Sequence, residues 1–381
     1  VFDPKTKFKL FKQNKHFCSA PWTVLYVGMN GYTKPCTRSI ISHDLTSNTV
    51  EEIASNDKYK TLRGEILKDN ITDNCKKCLL SENVTDAGDF LSLRHLYNVL
   101  SIDSTVDYTD VEQFQLKALD LHWSSLCDLK CVTCWHKQSS SIAIEQNMPV
   151  NHTPPAVADK IIDYVVTNQA GLNEIYLSGG EPTLIKYNLK LLRQIEKRPD
   201  LLLRVNTNMQ WKQDNAIIQE ILKFPNVMFT CSIDGFGEKF NYIRRGGNWN
   251  TTLNNIKFLQ AQTNVDLRAN TVFFVLTAQE LPDIIDYFMQ EVGAIDHTIN
   301  QIAMGQEKLR CRNLPTRIKK QVKDKLEDYL VKYSDNLNIC GNIKNCLTEL
   351  EYDAVDDYRQ YFDNIDKLQG SNWQNLYPEL V

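Results

Sequence analysis

The sequence predicts an α/β fold: a partial (β/α)6 barrel built on a parallel sheet, with a cysteine-bearing region ahead of it and a helical C-terminal tail behind. Three observations predict this. From about residue 116, short apolar runs with strand character alternate with stretches of helical periodicity, the pattern of βαβ crossovers. Six such strands can be found, too few for a closed eight-stranded barrel. After about residue 311 the periodicity is helical throughout.

In chain order, residues 1–112 form a first region with a strand-like run at 24–27 and a helical stretch in which Tyr59, Leu62 and Ile66 make one apolar stripe. Residues 113–310 form the barrel region. Its strands are expected at 116–123, 174–178, 201–206, 227–233, 267–276 and 297–302, and its helices at 156–167, 188–196, 215–222, 251–261 and 283–291. Residues 311–381 form the tail, opened by the stripe Ile318, Val322, Leu326, Leu330 and Tyr333. In parallel α/β architectures the loops at the C-terminal ends of the strands gather the active groups. A functional motif is therefore expected directly after a strand.

Composition narrows the class. The 381 residues, 42% hydrophobic and 24% charged, describe a globular chain able to bury a large core. A formal net charge of −4 argues against whole-molecule attraction to nucleic acid or acidic lipid. Residues 1–40 are locally basic (Lys5, Lys7, Lys9, Lys12, Lys15, Lys34 and Arg38 against Asp3), which reads as a solvated arm. No apolar run is long enough to span a membrane, and the N-terminal stretch does not resemble a signal peptide, so a cytoplasmic location is expected. In a reducing compartment, 11 cysteines are better explained as metal ligands or redox groups than as disulfides.

Their distribution supports this. Cys127, Cys131 and Cys134 follow the first barrel strand directly, three thiols within eight residues. Such a loop can wrap one iron–sulfur cube and leave its fourth iron open, as substrate chemistry requires; a closed electron carrier uses four cysteines. A structural zinc site completed elsewhere, with His136 for instance, is the competing interpretation, although structural zinc favours paired CxxC units. After the second strand come Gly179, Gly180, Glu181 and Pro182, two glycines that permit close backbone approach and an acceptor suited to an ammonium group. After the fourth come Ser232, Asp234 and, further on, Arg244, a permanent bidentate partner for a carboxylate. Asn206 and Asn208 follow the third strand, and Asn270 interrupts the apolar fifth. In the first region Cys18, Cys36, Cys75 and Cys78 make a four-thiol set that spacing alone leaves open between zinc and a 4Fe–4S cube. Cys231 reads as a core residue, and Cys311, Cys340 and Cys346 as scattered free thiols.

The CxxxCxxC run CDLKCVTC, with GGEP after the next strand, resembles the radical S-adenosylmethionine (SAM) superfamily. The resemblance implies a 4Fe–4S cluster on Cys127, Cys131 and Cys134. Its open iron chelates SAM, whose reductive cleavage gives a 5′-deoxyadenosyl radical that abstracts hydrogen from a substrate. It also implies SAM contacts from Gly179, Gly180, Glu181, Pro182, Asn208, Ser232, Arg244 and Asn270, with Asp234 near the active site. The sequence departs from the family at Thr133, where an aromatic residue is common. The pattern around Cys18, Cys36, Cys75 and Cys78 resembles the SPASM and twitch subdomains, implying an auxiliary 4Fe–4S cluster; relatives often carry a double cysteine where this chain has Cys36-Thr37. The SIDG…R pattern together with an auxiliary cluster implies a peptide or protein substrate and an external electron donor such as flavodoxin or ferredoxin. A small metabolite or nucleoside is the second choice within the class. An iron–sulfur electron carrier or metal-stabilised binding module is the choice outside it, disfavoured by GGEP, which neither needs. No RNA-binding module is recognisable.

Overall fold

The computed structural model describes residues 14, 16–70, 72–83, 92–302 and 306–381. The lysines at 5, 7, 9, 12 and 15 lie outside the described residues. Among the described residues nine strands form one sheet: β1 (Val24–Gly28), β2 (Tyr32–Lys34), β3 (His43–Asp44), β4 (Ala118–Leu121), β5 (Glu174–Leu177), β6 (Leu202–Thr207), β7 (Val227–Ser232), β8 (Val265–Phe273) and β9 (Asp296–Gln301). Their spatial order is β3-β2-β1-β4-β5-β6-β7-β8-β9. Strands β4 to β9 are the six expected from the sequence, and all their pairings are parallel. They form the open (β/α)6 unit of a partial barrel.

The first region also joins the sheet. Strand β1 pairs parallel with β4, Val24 opposite Ala118 and Val27 opposite Leu121, and β2 and β3 continue from it antiparallel. The sheet is thus mixed but mostly parallel. Helices Pro155–Thr167, Lys186–Leu192, Ala216–Ile221 and Trp249–Gln260 return the chain between strands, close to the expected positions. The expected fifth helix is Leu281–Asp286, continued by a wider π turn to Val292.

Alternation along the strands gives the sheet two chemically distinct faces. Leu25, Leu119, Leu121, Ile175, Leu177, Leu203, Val205, Phe229 and Ala269 bury themselves with Ile161, Ile162, Leu191, Ile218 and Ile256 of the helices. Each of the Leu, Ile, Val and Phe side chains contributes roughly 1.5–3 kcal/mol when fully withdrawn from water. The opposite face is polar. Register places Tyr26, Asp120, Tyr176, Arg204 and Met228 in one row, and Ser232, Asn270 and Thr298 in another. Arg204 pairs with buried Glu174 and lies over the Tyr176 ring, so its charge is compensated.

The tail packs as helices Thr316–Lys332, Leu337–Glu351 and Arg359–Gln369. Ile318, Val322 and Leu326 join a second core with Tyr358, Phe362, Trp373 and Tyr377. Cys311 and Cys346 are buried in that core, and Cys231 in the first.

Candidate functional site: a cysteine loop over the sheet's C-terminal ends

The loop after β4 carries Cys127, Cys131 and Cys134, and main-chain hydrogen bonds tether it on two sides. Gly180 N–H donates to Ser124 O at 2.9 Å and Glu181 N–H to Leu126 O at 2.7 Å, joining the loop to the turn after β5. Lys130 N–H donates to Arg245 O and Val132 N–H to Ile243 O, each at 2.8 Å, joining it to the segment after β7. The approach at Gly180 leaves no space for a side chain: a Cβ there would lie 2.2 Å from Leu126 O. Gly179 sits at φ +111°, which a side chain disfavours, and its Cβ would lie 2.9 Å from Ser124 O. These glycines are required by how closely two loops cross.

Between the loop and the strand ends lies a cavity of about 280 Å³. Cys127, Cys131 and Cys134 line it together with Gly179, Gly180, Asn206, Asn208, Ser232 and Arg244. The motifs that follow four successive strands therefore converge on one space. Burial pushes the Cys131 thiol up to about 12, while the Arg244 charge pulls the other way. Among the described residues no three metal-binding side chains gather tightly enough to hold a single ion.

Several residues are placed in ways the sequence did not reveal. The Arg244 guanidinium is buried, with Nη2 2.7 Å from Asp234 Oδ2, while its Nε has no hydrogen-bond partner. Asp234 also accepts from Val272 N–H at 2.8 Å. Neighbouring Arg245 turns away to Glu145 at 2.8 Å, which distinguishes the two arginines: only Arg244 lines the cavity. The Glu181 carboxylate accepts from Thr183 N, Thr183 Oγ1, Thr207 Oγ1 and Asn208 N at 2.8–3.1 Å, and is not a lining residue. Burial pushes its pKa up to about 7 against these hydrogen bonds. Its side chain thus braces the loop after β6. Asn208 reaches from that loop to Asp128 Oδ1 at 2.7 Å, a strut to the cysteine loop. Pro182 is buried behind the turn. Asn270 lies beside Ser232 on the polar face, accepting from Asn300 Nδ2 at 2.6 Å, and is outside the cavity lining. Gln306 is a lining residue with no sequence signal: its Nε2 donates to Cys134 O at 3.0 Å, and its buried Oε1 has no partner.

The other four cysteines also converge. Burial raises the Cys18 thiol well above its usual value, and next come the nearby charges of Cys36, Cys75 and Cys78. Burial pushes Cys36 up to about 12, with Cys78 and Cys75 adding to it. Cys18 packs with Phe17, Trp22, Leu62 and Tyr97, against Cys36 and Cys75.

The donor sets fit iron–sulfur clusters. Three soft sulfur ligands facing a cavity whose walls hold an unpartnered arginine Nε and an unpartnered amide oxygen suit a cluster with a polar, partly anionic ligand beside it. Four neighbouring sulfurs, three of them packed among apolar side chains and the fourth buried, suit a closed site.

Fold and site thus define an α/β protein with two cysteine sets on one sheet, one bordering a cavity. Comparison with known families finds two matches. The radical SAM superfamily description matches residues 122–288, and the iron–sulfur cluster-binding SPASM domain matches residues 18–79, which span Cys18, Cys36, Cys75 and Cys78. Residues 122–288 thus match a radical SAM domain, and residues 18–79, ahead of the barrel, match a SPASM domain. The cofactors of these domains are a 4Fe–4S cluster, SAM and an auxiliary iron–sulfur cluster. No curated protein matches the chain. Among solved structures it is similar to anSMEcpe with bound AdoMet, at 17% identity and TM-score 0.45 over 59% of this chain and 60% of that one. It is also similar to Streptococcus suis SuiB bound to precursor peptide SuiA, at 18% identity and TM-score 0.43 over 62% of this chain and 54% of that one. The chain therefore matches less than two thirds of either protein's length. No helix among the described residues is long and apolar enough to cross a membrane.

Proposed function

We propose that the chain is a radical SAM enzyme acting on a peptide or protein, with Cys127, Cys131 and Cys134 as ligands of the SAM-binding cluster and Cys18, Cys36, Cys75 and Cys78 as ligands of the auxiliary one. The observation that carries the reading is the convergence of three cysteines, the glycine turn, Ser232 and Arg244 on one cavity. When bound, cluster and SAM would supply reductive cleavage of SAM and hydrogen-atom abstraction from the substrate.

The chain's own residues would bind and orient. Gly179 and Gly180 let backbone amides approach a ligand in the cavity. Arg244, held by Asp234, presents a fixed positive charge to a carboxylate, with Ser232 beside it. Glu181 positions Asn208, and through Asp128 steadies the cysteine loop. Pro182 fixes the start of the turn behind it. Support for a peptide comes from the pairing of the SIDG…R pattern with a SPASM domain. It also comes from the polar face leading away from the cavity. There half-buried Asn206, Thr230, Asn270 and Thr298 and exposed Asn300 offer the amides and hydroxyls that suit an extended backbone. An external one-electron donor such as flavodoxin or ferredoxin completes the scheme.

Anaerobic incubation of the reconstituted protein with reductant and SAM is expected to release 5′-deoxyadenosine. Substituting Cys127, Cys131 or Cys134 by Ala should abolish it. Iron-loaded wild-type protein that yields no nucleoside would refute catalysis of this kind.

A further inference from the structure

We propose that the C-terminal tail clamps the cysteine loop from outside, and that Tyr361 is a positioning residue for the turn between Cys131 and Cys134. The inference rests on the reading that this turn holds the SAM-binding cluster.

The peptide units of Val132 are gripped on both sides. Its N–H donates to Ile243 O at 2.8 Å, and its carbonyl accepts from the Tyr361 hydroxyl at 2.6 Å, a contact across 229 residues of sequence. Its side chain, 1% exposed, belongs to the tail's core with Phe362, Trp373 and Tyr377, not to the core beneath the sheet. The next residue, Thr133, lines the cavity. A turn held at its back by the tail therefore presents its front to the cluster site. The next carbonyl but one, that of Cys134, is held separately, accepting from Gln306 Nε2 at 3.0 Å.

The clamp is rigid. Tyr361 is on the helix Arg359–Gln369, whose Asp366 accepts from Trp373 N–H at 2.9 Å and whose Asp363 accepts from Trp373 Nε1 at 2.9 Å. The Tyr361 ring is fixed by Phe362 edge-to-face, with centroids 5.5 Å apart, and by Lys308 Nζ 4.5 Å from its centroid. The same tail meets the other wall of the cavity. Phe362 and Tyr377 each lie 6.5 Å, ring to ring, from Tyr242, two residues before Arg244. One packed unit thus backs both the cysteine turn and the arginine segment. A hydroxyl donating to a carbonyl also polarises that peptide, in a low-dielectric setting where the effect is felt. Losing it should alter both the placement and the electronics of the turn.

The test uses the full chain with Tyr361→Phe, which keeps the ring and removes the hydroxyl. Tyr358→Phe is the control: its hydroxyl donates to Leu380 O at 3.1 Å within the same tail and does not touch the loop. In the metal-free protein, alkylation of Cys131 and Cys134 should accelerate about fivefold in Tyr361→Phe, the ratio equivalent to about 1 kcal/mol at 25 °C, and stay unchanged in Tyr358→Phe. In the reconstituted protein, Tyr361→Phe should shift the reduction potential of the SAM-binding cluster negatively and change its SAM-dependent electron paramagnetic resonance signal, with iron content retained. Equal alkylation rates in Tyr361→Phe and wild type, or equal acceleration in both variants, would overturn the clamp. A wild-type protein whose spectrum ignores SAM, with the alkylation contrast intact, would instead sink the cluster assignment and leave the clamp standing.

Discussion

Both cysteine sets draw on loops that leave one sheet, Cys36 after β2 and Cys127, Cys131 and Cys134 after β4, and they differ in their surroundings. Cys127, Cys131 and Cys134 border a cavity shared with glycine backbone, Ser232 and a buried arginine. Cys18, Cys36 and Cys75 gather among Phe17, Trp22, Leu62 and Tyr97, with buried Cys78 near enough for its charge to act on Cys18. The first set has three sulfurs and space beside them, the second four sulfurs and apolar packing. An incomplete ligand set is useful only where a second ligand can enter, and a complete one is best sealed. If the first set holds the SAM-binding cluster, as proposed, the cavity beside it is part of that site's definition.

The largest expected effect separates the two sets. Cys127→Ala should remove the cluster signal that responds to SAM, whereas Cys75→Ala should keep that signal and lose the other, as spectra of the anaerobically reconstituted variants would record. Loss of both signals from either substitution would erase the distinction. A smaller effect is expected at the loop crossing. Gly180→Ala drives a methyl group into Leu126 O, and backbone there cannot yield cheaply, so roughly 1–3 kcal/mol or more of stability should be lost in denaturant titration. The matching change at Gly64, where a Cβ would meet nothing, should cost none.

A third effect, smallest when read per pH unit, concerns what the two regions share. His297 in β9 is fully buried against Thr271 Oγ1 at 2.8 Å, and burial lowers its pKa from 6.5 to about 3. Between those values the unfolded chain binds a proton that the folded chain does not. This histidine's contribution therefore rises with pH and is lost as pH falls, at about 1.4 kcal/mol per unit. Circular dichroism of the metal-free protein should show the slope between about pH 6 and 3, flattened in His297→Gln. Both regions should unfold together, because β1 and β4 are one ladder.

Local signals made much of this legible. Periodicity marked β4 to β9 and the returning helices because each amphipathic face is written in consecutive residues. The cysteine loop and glycine turn were legible because cluster and ligand chemistry demand fixed residue types at fixed spacing. Partners distant in sequence were not. The run at 24–27 looked like a strand, yet nothing local says that it lies parallel beside β4. The Arg244–Asp234 pair was hidden because each residue taken alone suggested a contact with ligand. Glu181 read as an acceptor facing the site, whereas its oxygens serve Thr183, Thr207 and Asn208. Gln306 and Tyr361 carry no motif, and only folding brings them to the carbonyls of Cys134 and Val132.

That last contact sets an order of events during synthesis. Val132 leaves the ribosome 229 residues before Tyr361, which at about 5–20 residues per second is a delay of roughly ten to fifty seconds. Throughout that interval the nascent cysteine turn lacks its outer brace, and its thiols wait in a chain whose closing helix has yet to be made.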